Sequence, residues 1–109
     1  MASEVFAVSH TAGVTNSESV LINGVNGHTY VILSIMVCET AGAAETFDLY
    51  IDDGGGGTDY EIYSDQALAA NATFEHTSKL VIVDEDHLCA ATASSANVDI
   101  VVSYLDQTR

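Results

Sequence analysis

The residues best suited to chemistry lie in the stretch LYIDDGGGGTDYEIY, residues 49–63. Four consecutive glycines, Gly54 to Gly57, stand at its centre, and acidic residues flank them on both sides: Asp52, Asp53, Asp59 and Glu61. Glycine backbone can wrap a phosphate, and carboxylates can bind calcium. A third interpretation is the tip of a β-hairpin, where glycine supplies the turn.

The sequence around the glycines favours the hairpin. A phosphate-binding loop needs a lysine after its last glycine and a helix beyond it. Here neither follows, and the flanking residues are anionic. An EF-hand needs oxygen ligands at alternate positions around one central glycine, which this spacing does not provide. We therefore predict a hairpin tip with no structurally important cation over residues 53–58.

The other polar clusters predict no catalytic, cofactor or metal site. In VDEDHLC, residues 83–89, three acids and His87 are consecutive, so alternate side chains would point to opposite faces of an extended chain. A polar turn between two strands explains them. The remaining histidines, His10, His28 and His76, are scattered singly, and no serine lies in a Gly-x-Ser-x-Gly motif. We predict that the protein is not an enzyme.

An all-β pattern surrounds these residues. Short runs rich in Val, Ile, Tyr, Phe and Thr alternate with clusters of Gly, Asn, Asp and Ser, and proline is absent. The one helical candidate, residues 65–72, is short. The pattern predicts strands near residues 4–9, 19–23, 28–39, 45–52, 59–64, 72–77, 79–83, 86–93 and 97–105. It indicates a single antiparallel β-sandwich, jelly-roll-like, of eight to nine short strands.

The domain is expected over residues 19–109, with residues 1–18 as an N-terminal arm or a first strand. If the last eight strands follow jelly-roll order, strand 28–39 lies beside strand 86–93, and Cys38 faces Cys89. Both cysteines lie in apolar runs, and two are too few for a disulfide framework. We predict that both are unpaired thiols.

Two strands are apolar on both faces. In YVILSIMVC, residues 30–38, both sets of alternate residues are mostly apolar. In VDIVVSYL, residues 98–105, the apolar residues Val101 and Leu105 lie on the face opposite Val98, Ile100, Val102 and Tyr104. A two-layer sandwich buries one face of each sheet, so something should cover the other face. A loop or the N-terminal arm is one alternative, and a subunit interface is the other. We predict an oligomer interface that contains Tyr30, Ile32, Met36, Val98, Ile100, Val102 and Tyr104.

The charge of the chain excludes some partners. Sixteen acidic residues against Lys79 and Arg109 give a formal net charge of −14. Nucleic-acid binding requires cations that displace the counterions of phosphates, and two basic residues cannot form such a patch. The same charge opposes anionic membrane surfaces. We expect no nucleic-acid or membrane partner, and association that strengthens with salt.

The C-terminal half resembles small β-sandwich structural proteins of tailed bacteriophages. The resemblance rests on SKLVIVDEDHLCAATASSANVDIVVSYLDQ, residues 78–107, and on YVILSIMVCETAGAAETFDLYI, residues 30–51. In both, apolar strands alternate with small-residue or acidic turns, and the last strand is Val-rich and ends in Ser-Tyr. The resemblance covers roughly residues 19–107 and is one of pattern, without a catalytic motif.

The resemblance implies a non-enzymatic virion protein. A capsid decoration or cement protein on the outer surface of the head, in homo-oligomeric form with a trimer favoured, is the first expectation. It would bind the major capsid protein or another virion protein, and assemble in the host bacterial cytoplasm. Alternatives are a neck, tail or fibre component, or a carbohydrate-binding module that uses Tyr50, Tyr60 and Tyr63. A small jelly-roll enzyme is the least favoured.

Overall fold

The protein folds into nine antiparallel strands without any helix in the part of the chain described by the computed structural model, residues 3–54, 56–95 and 97–109. In that part, therefore, no helix is long and apolar enough to cross a membrane. The strands are β1 (Ser3–Val14), β2 (Ser19–Asn23), β3 (His28–Glu39), β4 (Glu45–Asp52), β5 (Asp59–Leu68), β6 (Thr73–His76), β7 (Leu80–Val83), β8 (His87–Thr92) and β9 (Val98–Thr108). The predicted all-β class is confirmed.

The strands form two sheets in jelly-roll order. The five-stranded sheet runs β1-β9-β3-β6, with β7 also paired to β3, and the four-stranded sheet runs β2-β8-β4-β5. β6 pairs with residues 35–38 of β3 and β7 with residues 29–32, so the two short strands share one position, end to end. Counted that way, the chain has eight strand positions and changes sheet at every connection except the β4–β5 hairpin, as in a jelly roll.

The predicted alignment of the jelly roll was wrong by one strand. The order begins at β1, which pairs antiparallel with β9 over Ser3–Thr11, and not at the strand that starts at residue 19. As a result β3 lies between β9 and the β6/β7 pair, and β8 lies between β2 and β4. Cys38 and Cys89 are therefore in different sheets and do not face each other. Both are free thiols.

A β-bulge in β3 explains why that strand is apolar on both faces. The pairing of β3 with β9 shifts between Ile32 and Ser34, so Leu33 is an extra residue on the β3 side. The bulge turns both Ile32 and Ile35 into the core, where each is fully buried, although a regular strand would place them on opposite faces. Leu33 and Met36 remain on the outside.

The two polar stretches of the sequence are turns, as predicted. β4 and β5 form a hairpin whose last pair is Asp52 with Asp59, and the amide of Asp53 donates to the carbonyl of Thr58 at 2.9 Å. Gly55, within the predicted cation-free tip, lies outside the described residues. Residues 84–86 make the turn between β7 and β8, closed by the amide of Asp86 donating to Val83 O. No helix forms at 65–72; β5 continues to Leu68, four residues beyond the predicted strand end at residue 64.

One buried carboxylate organises the loop after β3. Glu39 is fully buried, and its two oxygens accept hydrogen bonds from the backbone amides of Ala41, Gly42, Ala43 and Asn71 at 2.7–3.1 Å. These bonds, that of Asn71 first, lower the pKa of Glu39 below its ordinary value of 4.5. The carboxylate thus joins the β3–β4 loop to the turn before β6.

Candidate functional site

Five of the seven residues predicted at an oligomer interface lie inside the sandwich. Tyr30, Ile32, Val98, Ile100 and Val102 are buried members of the hydrophobic core. Their assignment to an outer face was wrong, because the alternation of β3 and β9 gives no indication of which face turns inward. Of the other two residues, Met36 is exposed, and Tyr104 is half-buried with its ring edge against Tyr30. Whether the protein has an oligomer interface stays a prediction.

The opposite set of residues forms an apolar outer face on the five-stranded sheet. One cross-strand row joins Phe6, Leu105, Val31 and Val81 through β1, β9, β3 and β7. A second row joins His10, Val101, Met36 and Glu75. We define the apolar outer face as Phe6, Val8, Val31, Leu33, Met36, Val81, Val83, Val101 and Leu105.

Phe6 is the most exposed large apolar residue of this face. Its side chain is 76% exposed, and Val8, two residues further along the same side of β1, is 55% exposed. Scattered single apolar residues on a surface are normal, but a contiguous set that crosses four strands is typical of an interaction site. Glu4 and Asp99 are acidic residues in the rows at the two ends of the face, where Glu4 accepts from Gln107.

A different surface, the outer side of the four-stranded sheet, collects acidic groups. Asp52 at the end of β4 is buried, and it lies across the strand pair from Asp59. Glu18, directly before β2, accepts a hydrogen bond from the hydroxyl of Tyr50. Cys89 of β8 is fully buried on this side, opposite Tyr50 in the register. One ligand atom from each of Glu18, Asp52 and Cys89 lies within 4.8 Å of the other two.

Burial and neighbouring acidic groups raise the pKa values of three residues on this surface. Burial raises the pKa of the Cys89 thiol to about 12, and the charges of Glu18 and Asp52 act in the same direction. Partial desolvation, followed by the charges of Asp52 and Glu18, also raises the pKa of Asp59. Burial and the bond to Glu18 raise the pKa of Tyr50. All these shifts favour the neutral forms.

The histidines are spread over separate parts of the fold. His28 Nδ1 lies 2.7 Å from Asp106 Oδ1, and His76 Nδ1 lies 2.7 Å from the hydroxyl of Tyr63. His10 lines a shallow surface groove beside Asp99. His87, part of the predicted polar turn, is the first residue of β8 and pairs with Asp52. The described residues bring no two histidines together at one site.

The tyrosines considered for carbohydrate binding do not form one exposed platform. Tyr50 is buried against the acidic surface, and Tyr63 packs with its ring edge against Phe74 in the core. Only Tyr60, beside the glycine tip, is well exposed. Three stacked sugar contacts from these rings would require a different arrangement.

Comparison with known proteins identifies the fold without identifying a family. No protein-family model matches the chain, and no curated protein matches it. Solved structures do match. A chain in the acidic stable capsid structure of Helicobacter pylori bacteriophage KHP30 superposes with a TM-score of 0.63 at 9% identity, over 96% of this chain and 93% of that one.

Two further structures widen the comparison. A chain of the disulfide-linked pili of Bacillus endospore appendages gives a TM-score of 0.58 at 9% identity, covering 98% of this chain and 88% of that one. A chain of the IBDV viral particle gives 0.52 at 11% identity, over 97% of this chain but 35% of that one. At these identities the likeness shows the fold alone: a jelly roll that capsid proteins and a pilus subunit share.

Sequence reasoning missed two groups of residues that the fold brings together. Phe6 and Val8 lie in the predicted strand near residues 4–9, but the predicted interface did not include them, although their alternation with Ala7 and Ser9 is typical of a strand with one apolar side. Glu18 was not considered as a neighbour of Asp52 and Cys89. No local pattern indicates that neighbourhood, because it depends on which strands pair.

Proposed function

We propose that this chain is a non-enzymatic structural protein of a virion, in which the apolar outer face of the five-stranded sheet is buried by assembly. The fold supports the proposal because a bacteriophage capsid structure contains a chain of the same architecture and nearly the same extent. The observation that carries it is the continuous apolar outer face, from Phe6 on the edge strand to Val81 at the other side.

The dimensions of this face suit association between copies of the chain. Four strand positions spaced about 4.8 Å apart, over about nine residues of paired strand, give roughly 600 Å² of flat sheet. Two such faces would bury about 1,200 Å², the lower end of the range for specific interfaces. The row from Phe6 through Leu105 and Val31 to Val81 carries no acidic residue, and in the next row the one acid, Glu75, lies at the edge beside Met36.

Within the virion, we favour a capsid decoration or cement protein on the outer surface of the head. A homo-oligomer, with a trimer favoured, would bind the major capsid protein or another virion protein after synthesis in the host cytoplasm. The net charge of −14 suits a partner with a neutral or basic surface and an outward position away from packaged nucleic acid. A neck, tail or fibre position is the alternative within the same class.

Immunogold electron microscopy of purified particles tests this proposal. Antibodies against the folded chain should label intact particles over the whole head, which a decoration protein covers. Label confined to a tail or fibre would move the protein to the alternative position. Particles that lack the chain by mass spectrometry, from cells that express it, would overturn the virion role.

A further inference from the structure

We propose that Glu18, Asp52 and Cys89 form a binding site for a divalent transition metal of the zinc class. The three residues come from the β1–β2 loop, the end of β4 and the middle of β8, and their ligand atoms lie within 4.8 Å of one another. A zinc ion with bonds of about 2.0–2.3 Å would hold such atoms roughly 3.5 Å apart. Glu18 is exposed and lies in a loop, so its side chain can move to shorten the distances to those that a bound metal requires.

The second observation is the thiol of Cys89, which is buried at the cluster without a hydrogen-bond partner in the described part of the chain, beside the buried carboxylate of Asp52. Cys89 is fully buried, and its thiol makes no hydrogen bond to the described residues. Asp52 is more than nine-tenths buried. Among the described residues its carboxylate accepts one hydrogen bond, from the backbone amide of Gly56 to Oδ1. A carboxylate removed from water usually has an opposite charge beside it.

No basic side chain of the described chain supplies that charge. The two ion pairs found there are His28 with Asp106 and Arg109 with Asp84, and neither includes a residue of the cluster. A bound divalent cation would compensate Asp52 and Glu18 together. The proposal differs from the calcium site considered for the glycine tip, because its third ligand is a thiol.

The donor set selects the class of metal. A thiolate with two carboxylates suits zinc or cobalt, whereas calcium prefers six to eight oxygen ligands. On binding, the thiol of Cys89 releases its proton to solvent and the metal–sulfur bond takes its place. Tyr50 donates to Oε1 of Glu18, which leaves Oε2 available to the metal. The bound ion would fix the β1–β2 loop on the outer side of the four-stranded sheet.

Cobalt(II) titration of the full, chelator-treated chain tests the site, because a cobalt–thiolate bond gives a charge-transfer band in the near ultraviolet. We expect one equivalent to bind, the band to appear and the melting temperature to rise, with calcium producing neither effect. Glu18→Gln, at an exposed position, should weaken binding by about tenfold or more, since removing even an outer partner of a ligand costs that much. Cys89→Ser should lose the band.

Matched variants complete the experiment. Cys38→Ser, in the other sheet, and Glu61→Gln, on the same acidic surface, should both retain the band and the affinity. Circular dichroism separates a misfolded Cys89→Ser variant from a folded one, and Glu18→Gln decides the matter if that variant misfolds. A wild-type chain that binds no cobalt, or a band that persists in Glu18→Gln with unchanged affinity, would overturn the proposal.

Discussion

The bulge in β3 determines which of its apolar side chains can be replaced by alanine without a large loss of stability. Replacing Ile32 or Ile35 by alanine should each cost about 2–5 kcal/mol, because both side chains are fully buried and a cavity would remain. The same change at Leu33 or Met36, which lie on the exposed side, should cost about 1 kcal/mol or less. A loss of 2 kcal/mol or more is a large part of the roughly 5–15 kcal/mol that stabilises a domain.

Thermal unfolding by circular dichroism measures this difference. At about 4–8 °C per kcal/mol, a loss of about 3 kcal/mol lowers the melting temperature by roughly 12–24 °C. The measurements should use dilute protein at low salt, where light scattering verifies a monomer, so that association does not stabilise Leu33 or Met36. A regular strand would make only one of Ile32 and Ile35 sensitive. That result, or equal losses at all four positions, would refute the bulge.

Three further predictions concern individual residues. At pH values above 4.5, the ordinary pKa of a glutamate, Glu39→Gln should lower the melting temperature by several degrees. The difference from the wild type should shrink as the pH falls through the lowered pKa of Glu39 in the native state. A difference that does not change with pH would contradict this account. In urea denaturation, Gly24→Ala should destabilise the protein far more than Gly54→Ala. A Cβ at position 24 would overlap carbonyl oxygens of the β7–β8 turn, whereas a Cβ at position 54 has free space and is disfavoured only by the positive φ. The reverse ranking would contradict this prediction. Alkylation of the native, non-reduced protein should label Cys38 before Cys89, and both after denaturation; mass spectrometry that finds an unlabelled chain two protons lighter would show a disulfide instead.

The local sequence pattern was enough to predict where the strands lie, but not which strands pair with each other. The strand from residue 45 to 52 could be identified because Phe47, Leu49 and Ile51 alternate with polar residues. The jelly-roll alignment failed because pairing is a long-range property. Nothing near residues 3–14 indicates that this strand joins β9, at the opposite end of the chain. Without that pairing, Cys38 and Cys89 were expected side by side.

The apolar second face was predictable, although its members were not. The composition of residues 30–38 shows that both sides of β3 are apolar. Choosing the inner side requires the position of the bulge at Leu33, which depends on the facing strand β9. The same limit hid the Glu18 cluster, whose residues approach only after β2, β8 and β4 have paired.

Light scattering of paired surface variants over a salt series tests most directly whether the apolar outer face is buried by assembly. Val81 lies on that face and Val25 lies in the β2–β3 loop, and they are 54% and 52% exposed. Because the two valines are equally accessible, Val25→Asp is a matched control for Val81→Asp. The wild type and Val25→Asp should form oligomers that grow with salt as repulsion is screened, and Val81→Asp should remain a monomer of about 11.5 kDa. A monomeric wild type at high salt and high protein concentration would contradict the account.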